Sequence, residues 1–291
     1  MILIVLLVKA LHKNKYYLNI LSTAKVNLNL RIVGHDSHFH LLQSYFYPIH
    51  TLADDIQIRV ANSDEITIKR ESYIPEFTDT IIVKTIAAMR AKFGFSEFFD
   101  VILQKRIPLG GGLGGGSSNA ASIINTIDQL LGLGLSIDEK CEVGKTIGAD
   151  VPFFLYNKPC VVEGFGEVIT PIKGHKDYRI LLVVPDFGCS TPEVFKIYRA
   201  SGQSFSAQVS HQELIDQICY NDLTDAACTH NSKIADILSA IGSCKGCEAS
   251  AMSGSGATCF GVFEDAPDLH NASEILSSQF PHYQIFSSVS Q

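Results

Sequence analysis

Residues 108–121 read Pro-Leu-Gly-Gly-Gly-Leu-Gly-Gly-Gly-Ser-Ser-Asn-Ala-Ala, and from Gly110 to Gly116 only Leu113 is not glycine. Glycine loses more backbone entropy on folding than any other residue, and it reaches positive φ without a Cβ penalty. So dense a run inside an ordered domain predicts a tight backbone concavity. Ser117 to Leu131 then carries apolar residues at 123, 124, 127, 130 and 131 behind Ser and Asn, the pattern of a capped amphipathic helix. A glycine loop feeding a helix N-terminus aims several amide N–H groups and the positive end of a dipole at one spot. That spot suits phosphate.

Three kinds of phosphate loop compete for this stretch. A Walker loop needs GxxxxGK[ST]; the only Gly-Lys-Thr, at 144–146, has Glu139 where the first glycine belongs. A dinucleotide fingerprint is formally met by Gly110, Gly112 and Gly115, which keeps a dinucleotide-binding oxidoreductase as the reading from a different class. That fold needs a buried strand ending in an acidic residue after the helix. Here Gly132–Ser136 turns directly into a second helix instead, opened by Ser136 with Asp138 and Glu139 and stopped by Gly148.

The rest of the chain limits what the loop can serve. A length of 291 residues makes two domains the expectation, with Lys173–Asp177 as the polar boundary between 1–176 and 177–291. The formal charge of −7, with scattered Lys and Arg, argues against a nucleic-acid face. Eight Cys without repeated spacing, and one CxxC at Cys244–Cys247, read as reduced thiols in a cytoplasmic protein. The apolar run Met1–Val8 falls far short of the ~20 residues that span a bilayer and lacks signal-peptide flanks, so no membrane partner is expected and 1–14 reads as an extension or an added edge strand.

Strands and helices are mixed along the chain. Residues 16–33 alternate, with Val26, Leu28, Leu30 and Ile32 set against Lys25, Asn27, Asn29 and Arg31, which predicts a half-buried strand with a solvated polar face. Gly34–His40 is a His-rich turn, better suited to surface or substrate contact than to metal. Ser44–His50 and Ile56–Val60 read as two strands with Asp54 and Asp55 in the turn between them. Thr80–Phe93 reads as a helix, and Phe99–Lys105 as the strand leading to Pro108. Asp150 follows a helix end and precedes Pro152, a place where an aspartate commonly bonds its own backbone. After a strand at Arg179–Pro185 come a helix start at Ser190-Thr-Pro, a cap or turn at Asn221–Leu223, and a second glycine turn at Ser253–Gly256 running into a strand.

The whole string 108–121 resembles the phosphate loop of the GHMP kinases, with Thr23–Leu28 similar to that family's N-terminal motif and Ser253–Gly256 to its C-terminal glycine motif. The resemblance implies an α+β, two-domain fold: an N-terminal ribosomal-S5-like nucleotide domain and a C-terminal ferredoxin-like domain. It implies ATP as co-substrate, held by Pro108, Leu109, Gly110, Gly111, Gly112, Leu113, Gly114, Gly115, Gly116, Ser117 and Ser118. Gly254, Ser255 and Gly256 stand at the second motif. Mg²⁺ is expected with the nucleotide, although no dedicated ligand set is identifiable.

The resemblance further makes Asp150 the catalytic acid–base residue and Lys25 its basic partner. The segments Ala24–Leu30, His40–Ser44 and Gly148–Phe154 are closest to the branch with a cytidine-diphosphate-linked polyol as acceptor, placing Asn27, Phe39, His40 and Thr191 on the acceptor side. Phe39 stands where that branch commonly has Tyr. Homoserine- and mevalonate-type kinases are the alternatives within the family. A small-molecule substrate and a monomer or homodimer are expected.

Overall fold

The computed structural model describes residues 16–36, 40–70, 80–174 and 176–289. The N-terminal apolar run and Phe39 lie outside the described residues. The chain forms two compact units: one takes residues up to 23, 53–107 and 115–157, the other 24–52, 108–114 and 158–291. Strands β1 (Leu18–His35) and β2 (His40–Ala61) give part of their length to each.

In the first unit, the C-terminal part of β2 pairs antiparallel with β4 (Phe98–Lys105), which pairs in parallel with β3 (Glu65–Arg70). The two strands expected on either side of Asp54 are one continuous strand. Asp54 needs no turn, because its buried carboxylate accepts bonds from Lys105 Nζ at 2.5 Å, Arg106 N at 2.7 Å and Ile107 N at 2.8 Å.

The helices of this unit follow their apolar spacing. Helix α1 (Thr80–Phe93) buries Ile82, Thr85, Ile86 and Met89 and ends at Gly94. Helix α2 (Gly115–Leu131) starts two residues before the expected cap, so Ser117 and Ser118 sit inside its first turn. Two glycines thus form its N-terminal end. Helix α3 (Ile137–Ile147) has the full capping box, with Ser136 and Glu139 bonding each other's backbone. The apolar run after Asp150 is a short helix, α4 (Val151–Tyr156), with five of its six residues buried.

In the second unit, β5 (Cys160–Gly164) pairs with the N-terminal part of β2 and with β6 (Val168–Pro171). Strand β7 (Arg179–Val184) is followed by α5 (Thr191–Ala200), α6 (His211–Asp216), the short strand β8 (Tyr220–Asn221), α7 (Thr224–His230) and α8 (Lys233–Gly242). Then come β9 (Cys247–Met252), β10 (Cys259–Phe263), α9 (Ala266–Gln279) and β11 (Gln284–Val289). The four long strands form an antiparallel sheet ordered β11-β7-β10-β9. Counted along the chain, these strands lie in the order fourth, first, third, second, and with helices in the connections after the first and third they give the ferredoxin-like plan. Its core joins Leu181 and Val183 of the sheet to Val194, Ile234, Ile237, Ile241, Leu269 and Leu276 of the helices.

The polar face of β1 is the main departure from the alternation pattern. Lys25, Asn27 and Asn29 are at most 4% exposed, like the apolar residues between them. Asn29 shows why burial is tolerated: its Oδ1 accepts from Tyr45 N at 2.8 Å and its Nδ2 donates to Gln217 O at 3.0 Å. A buried amide with both ends satisfied costs little. No helix among the described residues is long and apolar enough to cross a membrane.

Candidate functional site

Within the second unit, the glycine loop is tied down by its carbonyls. Gly111 O accepts from Thr258 N at 3.3 Å, Leu113 O from Lys25 N at 3.0 Å, and Gly112 O from Ser253 Oγ at 3.0 Å. Three successive electronegative atoms are thereby turned into the protein, an arrangement that removes repulsion from any anion on the amide side. Glycine is required at 112: its φ is +74°, and a Cβ there would run into the carbonyl oxygen of Ser253.

The same bonds gather three distant segments. Lys25 Nζ donates to Asn27 Oδ1 at 2.6 Å and lies 4.5 Å from the centre of the Phe46 ring. Asn27 donates from Nδ2 to Ser44 Oγ at 3.1 Å and from its backbone N to Ser253 Oγ at 3.1 Å. Ser253 is fully buried and so joins the N-terminal motif to both glycine turns. Asn221 Nδ2 holds the second turn by donating to Met252 O at 2.7 Å and Gly254 O at 2.8 Å, while its Oδ1 accepts from Leu223 N. Thr191 Oγ1 and Ser255 Oγ share a hydrogen bond of 2.7 Å. Lys25, Asn27, Gly111, Gly112, Leu113, Thr191, Gly254 and Ser255 are therefore brought into one bonded cluster or directly against it.

His40 belongs to a different cluster of this unit. Its ring stacks on Phe195 at 5.1 Å and meets His35, Tyr198 and Phe205 edge-on at 4.9, 5.8 and 6.5 Å. Both ring nitrogens are buried, and neither has a hydrogen-bond partner among the described residues. Burial first, then the neighbouring charges of His35 and Arg199, hold this imidazole below the ordinary histidine range. A neutral ring keeps one donor and one acceptor unspent.

Ser117, Ser118 and Asp150 lie in the first unit. Ser118 is buried and accepts from Ser22 Oγ at 2.7 Å. Asp150 is half-buried at the N-cap position of α4, where its side chain makes no cap hydrogen bond. The far end of α4 is fixed by Thr23 Oγ1 donating to Asn157 Oδ1 at 3.0 Å. With α4 packed among apolar neighbours and anchored there, Asp150 stands on a rigid element.

Sequence reasoning passed over Phe195, Tyr198 and Phe205, and it took Asn221 for a simple cap. The spacing of Phe195 and Tyr198 on α5 places both on one helical face, a signal that reads equally well as core. The position of Ser253 behind Gly112 has no local sequence signal.

Known proteins resemble both the sequence and the fold. The family models for the GHMP kinases N terminal domain and the GHMP kinases C terminal match residues 80–158 and 206–282. The 4-diphosphocytidyl-2-C-methyl-D-erythritol kinase of Geobacter sp. (strain M21) is 33% identical over 258 residues, 85% of this chain and 90% of the relative. The kinase of the same name from Clostridioides difficile (strain 630) is 31% identical over 285 residues, covering 94% of this chain and 96% of its own. Among solved structures, a 4-(cytidine 5'-diphospho)-2C-methyl-D-erythritol kinase superposes with a TM-score of 0.78 at 24% identity, over 93% of this chain and 98% of the other.

Proposed function

This chain belongs to the GHMP kinase family, and from that premise we propose that it transfers the γ-phosphoryl group of ATP to the 2-hydroxyl of 4-diphosphocytidyl-2-C-methyl-D-erythritol, a step of non-mevalonate isoprenoid precursor synthesis. That it is an ATP-dependent small-molecule kinase follows from the family itself. The observation that carries the acceptor assignment is the likeness to kinases of that name along 85% and 94% of the chain. The His40 cluster supports it, since an aromatic stack with an unspent donor and acceptor suits a pyrimidine base. Asn27, Phe39 and Thr191 join His40 on the acceptor side.

In this reading, the amides from Gly110 to Gly116 and the first turn of α2, with Ser117 and Ser118, hold the phosphates. Pro108 and Leu109 lead into that loop, and Gly254–Gly256 backs it. Phosphoryl transfer asks for positioning and charge neutralisation more than covalent help. Asp150 takes the acceptor hydroxyl's proton as the oxygen attacks phosphorus. Lys25, its basic partner in this reading, offsets charge on the transferred group. The described residues hold no group of three or more His, Cys, Asp or Glu side chains suited to a metal ion. Mg²⁺, brought by the triphosphate, would offset part of its charge. The domain boundary at 176/177 and a cytoplasmic location belong to the same proposal.

The test is ADP release from ATP with a panel of alcohols comprising the cytidine-capped polyol, homoserine and mevalonate. Preference for the first is expected; preference for either of the others would overturn the acceptor assignment. Asp150→Asn is expected to cut turnover by about 100-fold or more while leaving ATP binding intact, the scale of a lost general base. Near wild-type turnover in that variant would remove Asp150 from the mechanism.

A further inference from the structure

A second buried lysine stands against the start of α2. Lys105 is the last residue of β4, and its ammonium forms an ion pair with Asp54 Oδ2 at 2.5 Å, both side chains being at most 5% exposed. Asp54 Oδ1 accepts the backbone N–H groups of Arg106 and Ile107, the two residues that lead into Pro108. On the other side of the loop is Gly115, the first residue of α2. A Cβ on Gly115 would lie 2.9 Å from Ile107 Cγ2 and 3.2 Å from Lys105 Nζ. The residue before the loop, the residue after it and the ammonium are thus in mutual contact, and the carboxylate fixes two of the three.

Ion pairs buried this deeply add little stability over apolar residues of the same shape. What this one adds is geometry: a rigid strand end and a helix start held against each other at a set spacing. We propose that Asp54 and Lys105 are positioning residues for ATP, a clamp that holds the end of β4 against the first turn of α2 so that the amides of that turn stand where the phosphates need them. The inference rests on the reading of loop 108–114 as the phosphate site. It requires glycine at 115 for a steric reason, not a conformational one, since Gly115 lies in helical backbone that alanine also adopts.

Three single variants of the full chain test it, by calorimetric ATP binding and thermal unfolding. Gly115→Ala keeps both clamp residues but pushes the start of α2 away from Ile107 and the Lys105 ammonium, and alanine is the better helix former. ATP affinity is expected to fall about tenfold or more, the cost of a misplacement near 1 Å, with no loss of thermal stability. Lys105→Met is expected to weaken ATP similarly. Gly112→Ala reports on the loop itself. If Gly112→Ala weakens ATP while Gly115→Ala binds it like wild type, the clamp is wrong and the loop reading stands. If neither changes ATP binding, both fall. A loss of ATP affinity in Gly115→Ala that merely tracks a lowered unfolding temperature would also overturn the proposal, by reducing the clamp to ordinary packing. Should Lys105→Met fail to fold, Gly115→Ala decides alone.

Discussion

The glycine loop and the His40 cluster, both in the second unit, are built on opposite plans. The loop, proposed to hold phosphate, presents backbone: side chains are absent where they would obstruct, and carbonyls are tied off by Thr258, Lys25 and Ser253. The His40 cluster, proposed for the acceptor, presents side chains, with rings from α5 and from residue 205 brought against a strand more than 150 positions away. At Gly112 a backbone site tolerates no side chain, because one added carbon strikes the Ser253 carbonyl, part of a peptide group that cannot move aside. A side-chain site degrades gradually, because each ring contributes a separable share of contact area.

That contrast is tested most severely by Gly112→Ala. A positive φ costs alanine about 1–2 kcal/mol, and the Cβ also meets the Ser253 carbonyl, so the loop must shift. Use of ATP, read as kcat/KM, is expected to fall on the order of 100-fold, the scale of losing an oriented backbone donor. The acceptor KM should hardly move. A variant with wild-type ATP kinetics would show that the loop's conformation is not what matters.

His40→Ala probes the other plan. It removes a stack on Phe195 and one hydrogen-bonding ring, each worth roughly 1 kcal/mol. The acceptor KM is expected to rise about tenfold or somewhat more, with the ATP KM unchanged. Equal changes in both constants would erase the distinction between the two regions.

Legibility in the sequence follows the same division. The glycine stretch, α1, the Ser136 capping box and the strand–helix alternation of the second half are visible because each is a local pattern of residue types. Local spacing could not show that the polar face of β1 is buried, since that depends on Asn27 meeting Ser44 and Ser253, the latter 226 residues away. Asp54 misled for a related reason. An acidic pair between two apolar runs looks like a turn until Lys105 and two backbone amides, about 50 residues on, are seen to satisfy it. The roles of Asp150 and Lys25 came from resemblance to the kinase family; position alone pointed to a turn residue and a solvated strand face.

The smallest effect expected is one of pH, and it isolates His40 from the loop, which carries no titrating side chain between 110 and 116. Burial, together with His35 and Arg199, lowers the proton affinity of the folded ring. Below the ordinary histidine value of 6.5 the unfolded chain takes up a proton that the folded chain refuses. Unfolding therefore binds protons, and stability falls as pH drops through that region until the folded ring itself protonates. Denaturant unfolding from pH 7.5 to 5 should show wild type losing stability relative to His40→Asn, whose side chain does not titrate, with a slope no steeper than about 1.4 kcal/mol per pH unit for one proton. Over the same interval the acceptor KM of wild type should rise only after the ring protonates, since the cation has lost its acceptor nitrogen. Parallel stability profiles for the two proteins would mean that the ring is solvated in the folded chain, and the side-chain plan for the acceptor region would lose its hydrogen-bonding centre.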